Sequence, residues 1–74
     1  MTAGPAGAYG REEHPWLGRR VTDIASKGRG ELTAVGEETV RDHRGRWITV
    51  RLAHITPDRG VPWSTAVENV ALIP

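Results

Sequence analysis

Hydrophobic and polar positions alternate most cleanly between Arg46 and Ile55. From Ile48 onward, Ile48, Val50 and Leu52 alternate with Thr49, Arg51 and Ala53, the period of two that marks a strand with one buried face. Four of the ten residues are β-branched (Ile48, Thr49, Val50, Ile55) and one is Trp, types that suit a pleated surface. The alternation predicts Ile48, Val50 and Leu52 facing inward, with Trp47, Thr49 and Arg51 outward. Asp42-His43-Arg44-Gly45 precedes this run, with Asp where a type I turn wants its first residue and Gly where φ > 0 is tolerated. Gly30 to Gly36 supplies the other arm. Residues 30–55 therefore read as a hairpin around which the rest of the chain is arranged.

The flanks supply shorter elements. Gly18 to Ala25 reads as a first strand, with Val21 and Ile24 as core candidates. Their spacing of three predicts a bulge if both point inward. Leu32 and Val35 repeat that spacing in the next arm, and a small barrel needs such bends to close. Glu37 to Arg41 carries this arm to the turn, with Val40 as its apolar anchor. Thr56 to Gly60 is a second turn, rich in Pro and Gly. Val61-Pro62-Trp63 reads as a short strand at an edge or bulge, because Pro62 cannot donate to a ladder. Thr65-Ala66-Val67-Glu68 has the capping-box spelling and room for one helical turn before Asn69. Val70 to Ile73 is the last strand, ended by Pro74.

Composition limits what this arrangement is for. Met1 to His14 contains Gly4, Gly7, Gly10 and Pro5, and its only large apolar side chains are Met1 and Tyr9. Such a segment cannot offset its chain entropy, so residues 1–14 are expected to be a disordered tail and residues 15–74 the folded body. A body of about sixty residues buries only ~60% of its unfolded surface, which implies a stability of roughly 3–9 kcal/mol. The tail lacks the basic start and apolar run of a signal peptide. No window approaches the length of a membrane span, so no membrane is expected and the location is expected to be cytoplasmic. Cysteine is absent, which leaves no disulfide, no thiolate metal site and no cysteine nucleophile. The nine-to-one excess of Arg over Lys reads as GC-rich bacterial coding bias.

Short strands, tight turns and a helical turn before the last strand resemble the SH3-like small barrels, in particular their KOW and Tudor types. The resemblance rests on Gly18 to Ile24, on Gly28-Arg29-Gly30-Glu31-Leu32-Thr33-Ala34-Val35, and on Trp63 to Ile73. The middle piece, a glycine-rich loop leading into Gly-x-Leu-x-x-Val, is similar to a KOW element. The resemblance implies an all-β, five-stranded SH3-like barrel with one short helical turn before the last strand. Two features depart from it. Few basic residues follow the loop, and the acidic, tyrosine-rich groove of peptide-binding SH3 domains is missing. Superfold membership leaves function open.

The candidate chemistry is binding. Trp47 with Arg44, Arg46, Arg51 and Arg41 combines a large rigid ring with bidentate donors, the composition enriched at interface hot spots; the same set suits single-stranded nucleic acid. The alternative reading is that Trp47 covers an open barrel end among solvated arginines. Trp16 and Trp63 read as core or rim aromatics. Lys27 and Arg29 flank a glycine loop, but a phosphate cradle wants a helix after the glycines. His14, His43 and His54 form no ligand pattern, and nothing in the spacing of Ser64, His43 and Asp58 argues for a triad. His54 reads as a satisfied rim histidine. A barrel this small is expected to lack a cleft of 300 Å³ or more. The expectation is therefore a non-enzymatic monomer without cofactor, metal or small-molecule substrate. Residues 16–74 carry nine Arg/Lys and seven Asp/Glu, a net of +2, weak for a domain that lives on phosphate contacts. A protein partner is thus expected ahead of nucleic acid.

Overall fold

The computed structural model describes residues 12–74. Five strands, β1 (Arg20–Asp23), β2 (Arg29–Arg41), β3 (Trp47–Thr56), β4 (Trp63–Ala66) and β5 (Val70–Leu72), are joined by turns and one 3-10 turn, Val67–Asn69. All pairings are antiparallel, and they make one sheet in the order β4-β3-β2-β1-β5. The sheet is open, with β4 and β5 as its two edges. The all-β class, the five strands and the helical turn before the last strand match the sequence expectation.

The core gathers at the base of the β2–β3 hairpin. Leu32 stands opposite Ile55 and Val35 opposite Ala53, and all four are buried. The β2–β3 register shifts between Leu32 and Ala34. This is the bulge that the Leu32/Val35 spacing predicts: an extra residue lets two positions of unequal parity face the same side. Thr33, at the bulge, donates its hydroxyl to the His54 carbonyl at 3.1 Å. Val21 from β1 and Val70 from β5 complete the cluster, and Trp16, Trp63, Val67 and Leu72 pack against it.

Two inward assignments need correction. In β1 the buried residues are Val21 and Asp23, a plain alternation with no bulge. Ile24 lies beyond the strand and is 59% exposed. In β3 the buried residues are Ala53 and Ile55, so Ile48, Val50 and Leu52 lie on the opposite face. The alternation is real, but it does not say which parity meets the core. Only the last part of β3 crosses the core, and there a small Ala and an Ile occupy the inward positions.

Local chemistry explains smaller departures. Val61 and Pro62 precede β4 instead of forming it, and Val61 is exposed. The capping box does not cap: the residue before the 3-10 turn is Ala66, with no side-chain cap bond. Thr65 instead belongs to β4, where its hydroxyl donates to Asp23 at 3.1 Å and accepts from Asn69 at 3.2 Å. Two glycines, Gly28 in the loop between β1 and β2 and Gly30 in β2 itself, are required by close approach. A Cβ on Gly28 would sit 2.8 Å from the Trp63 ring, and one on Gly30 would sit 2.5 Å from the Thr56 carbonyl oxygen.

The N-terminal segment joins the sheet early. The Glu12 N–H donates to the Val35 carbonyl at 2.8 Å, and Gly18 donates to Leu32 at 2.8 Å. Glu12, inside the segment read as tail, is thus bonded to β2, while residues 1–11 of that reading lie outside the described residues.

Candidate nucleic-acid or protein interface

The tip of the hairpin is built by Asp42. One of its carboxylate oxygens accepts the N–H groups of Arg44 and Arg46, each at 2.9 Å. The Gly45 N–H closes the turn onto the Asp42 carbonyl at 2.9 Å, with φ at +79°, a conformation that favours glycine. The side chains on either side are therefore presented by a fixed backbone. Trp47, directly opposite Arg41, is 65% exposed. The Arg41 guanidinium lies 4.9 Å from the Trp47 ring centroid, within cation–π range. One ring face is thus held, and most of the indole remains in solvent.

The five sequence candidates do not form a single cluster. Arg41 and Trp47 stack, with Arg44 and Arg46 in the adjoining turn. Arg46 sits 3.5 Å from the Asp42 carboxylate. Arg51 is engaged elsewhere, binding Glu12 through both Nε and Nη2 at 2.7–3.2 Å. The Arg51 hydrogen bonds hold the Glu12 carboxyl below its usual range against a smaller opposing effect of burial, and Glu12 in turn raises Arg51. Among the described residues, Arg44 has no ionic partner. Trp47, Thr49 and Arg51 share the parity of Ala53 and Ile55. They stand on the core side of β3, where the strand has run past the core and that side meets water.

The strongest polar site is one that sequence reasoning missed. Asp23 is 2% exposed, and its carboxylate accepts four hydrogen bonds. These come from the Ala25 N–H (3.0 Å), the Ser26 hydroxyl (2.7 Å), the Trp63 indole N–H (2.9 Å) and the Thr65 hydroxyl (3.1 Å). Burial pushes this carboxyl up, but the hydrogen bonds outweigh it and hold the group below the ordinary Asp range. All four donors are neutral, and they come from the β1–β2 loop and from β4. Asp23 therefore ties the loop, Trp63 and the sheet together. The available signal was the Asp-x-Ala-Ser spelling of an Asx turn.

His54 lies 2.8 Å from a Glu38 carboxylate oxygen, on the face away from the core, which satisfies it as a rim histidine. Asp58 pairs with Arg20 at 3.0 Å. An open groove of about 340 Å³ runs between the N-terminal segment and β2, lined among others by Glu13, His14, Leu17 and Thr33. It exceeds the size expected of so small a domain because the segment is bonded to β2 at Glu12 and again at Gly18, with a turn over residues 15–18 between them. Among the described residues no group of three His, Cys, Asp or Glu side chains is placed to hold a metal, and no helix is long and apolar enough to cross a membrane. Comparison with protein-family models, with curated proteins and with solved structures finds no match.

Proposed function

We propose that this chain is an SH3-like small barrel acting as a non-enzymatic binding module, and that its hairpin tip engages an extended segment of a protein partner. The strand order β4-β3-β2-β1-β5 and the 3-10 turn leading into β5 support the barrel reading. The observation that carries the binding reading is Trp47, a large ring left 65% exposed and steadied by Arg41 on a rigid turn. A pre-ordered aromatic anchor loses little side-chain entropy on binding. The choice of protein over nucleic acid rests on charge. Arg51 and Arg46 already face carboxylates, so the tip offers few free cations to a phosphate backbone.

Retention of a partner by the tagged full chain, with and without nuclease and at 50 and 200 mM salt, tests this. Retention that survives nuclease and the higher salt, and is lost in Trp47→Ala, is the expected result. Release by nuclease, with affinity falling about tenfold or more across that salt range, would replace it with the KOW- or Tudor-type nucleic-acid reading.

A further inference from the structure

We infer that β3 pairs edge to edge with β3 of a second copy of this chain, along Trp47–Val50 and about a two-fold axis at Ile48. β4 covers β3 only from Leu52 to Ile55. Among the described residues no strand pairs with the outer edge of Trp47–Val50. Glu12, the first of them, lies on the other side of the ribbon, against β2.

The open edges of this sheet differ in how they are protected. Native edges are blunted by charges, by proline or by brevity. The outer edge of β2 beyond the core carries Glu37, Glu38 and Arg41. β4 is preceded by Pro62, and β5 is three residues long, with Pro74 shortly after it. The uncovered stretch of β3 ends at Arg51, whose guanidinium is already bound to Glu12; before it, Trp47-Ile48-Thr49-Val50 has no charge, no proline and no glycine, and all four are strand-forming types. Ile48 is 39% exposed and Trp47 65%. Among the described residues, Trp47–Val50 is the uncovered stretch that lacks charge and proline and is not shortened.

The backbone sets the register. Antiparallel ladders alternate between pairs that exchange hydrogen bonds and pairs that do not. Asp42 donates to Arg46 at the tip, so Arg41–Trp47 and Thr39–Thr49 are pairs that do not exchange. The N–H and C=O groups of Trp47 and Thr49 therefore point away from β2. Val35, on the same alternation, accepts the Glu12 N–H from outside, as this phase requires. A two-fold axis at Ile48 sets Trp47 of each copy opposite Thr49 of the other, so that both outward pairs of groups are used.

The side chains match themselves in this register. On the face away from the core, Ile48 meets its own counterpart, and a row of Val40, Ile48, Ile48 and Val40 crosses the junction. On the other face Trp47 lies beside Thr49, and no like charges are opposed. The net charge of +1 does little to oppose self-association. A second copy therefore occupies this edge, in place of the monomer expected from the sequence. The pairing uses the backbone of Trp47, places its ring beside Thr49 of the other copy, and leaves Arg44 and Arg46 of the tip uncovered.

Sedimentation of the full chain from about 10 μM to 1 mM is expected to show mass rising to twice the monomer by mass action. Ile48→Lys and Ile48→Asp should each stay monomeric, and their equimolar mixture should recover the dimer, which unfolded variants would not do. The chain has no cysteine, so single-cysteine variants report the register. Ile48→Cys sits at a pair that does not exchange hydrogen bonds, where Cβ atoms approach most closely. It should oxidise to a cross-linked dimer about tenfold or more faster than Thr49→Cys, since disulfides need short Cβ separations. A wild type that is monomeric at 1 mM, a charge pair that fails to recover the dimer, or faster cross-linking at Thr49→Cys overturns the inference.

Discussion

At the base of the β2–β3 hairpin, Leu32, Val35, Ala53 and Ile55 face one another and are closed off from water. At its far end Arg41, Trp47, Thr39 and Thr49 pair in the same antiparallel ladder and are exposed. The two ends share backbone geometry, hydrogen-bonding pattern and strand-forming residue types. What separates them is coverage: β1, β5 and Trp16 lie over the base, and no described strand lies over the end. A strand's own sequence therefore says little about whether a residue on it is structural. Mutations along the hairpin should reveal this as a steep gradient in stability over a few residues.

The largest expected effect is at the base. Ile55→Ala should cost roughly 2–5 kcal/mol, the usual range for a buried large-to-small change. For a domain with a total of roughly 3–9 kcal/mol, that is a large part of the whole. Chemical denaturation of Ile55→Ala and Ile48→Ala side by side checks the gradient. Ile48→Ala, on the same strand but facing water, should cost under about 1 kcal/mol. Equal costs would mean that the two ends are not different in kind.

Next comes Asp23, which faces inward from β1 beside the base. Asp23→Ala removes the acceptor of the Trp63 and Ala25 N–H groups and of two hydroxyls; Ala25 and Ser26 can turn to water, while Trp63 and Thr65 are half-buried, and a buried donor left unpaired costs roughly 1–3 kcal/mol. A total of about 2 kcal/mol or more is expected, read from denaturation midpoints. The same carboxyl sets an acid limb. Its folded form binds a proton less readily than the unfolded chain, whose Asp titrates near ~3.9. Its stabilisation is therefore complete above about pH 4 and is lost as pH falls below that through the depressed folded value. Thermal midpoints measured from pH 7 to pH 2.5 should fall more steeply for the wild type than for Asp23→Asn.

How much of this was legible in the sequence follows from what each signal depends on. The turn at Asp42–Gly45 and the bulge between Leu32 and Val35 are local, fixed by a side-chain oxygen, a positive φ and an odd spacing, and both were readable. The face of β3 was not, because Ile48, Val50 and Leu52 outscore Ala53 and Ile55 in bulk while the core lies under the latter pair. Asp23 went unseen because its donors Trp63 and Thr65 are some forty residues away, so only the fold explains a buried carboxylate at the end of a strand. Trp47 and the tip arginines were nameable by type. That Arg51 is held by Glu12 depends on a segment that composition alone assigned to the tail.

A smaller effect is expected at the start of β2. Gly30→Ala places a Cβ against the Thr56 carbonyl, a backbone atom that cannot rotate away. The strain should cost roughly 1–3 kcal/mol, as overpacking does, with β2 displaced from β3 at its start. Amide exchange of Leu32 and Ile55 should accelerate in this variant, while that of Thr39 and Thr49 is unchanged. Acceleration at both ends would show that the hairpin opens as one unit.

The smallest effect on stability is expected from the largest side chain. Trp47→Ala removes more volume than any other single truncation in the hairpin, and volume alone would rank it above Ile55→Ala. Its ring, however, is 65% exposed and touches Arg41 through a contact of a kind worth ~0.5–1 kcal/mol at a solvated site. Most of the indole is in water in both folded and unfolded states, so its hydrophobic transfer contributes almost nothing. Trp47→Ala should therefore lose under about 1 kcal/mol at micromolar concentration, with an unchanged denaturant slope. A loss near 3 kcal/mol would mean that the far end of the hairpin is covered, and Trp47 would then belong with Trp16 and Trp63 as a packing residue. A small loss leaves the exposure of this ring without a structural reason and points to a partner.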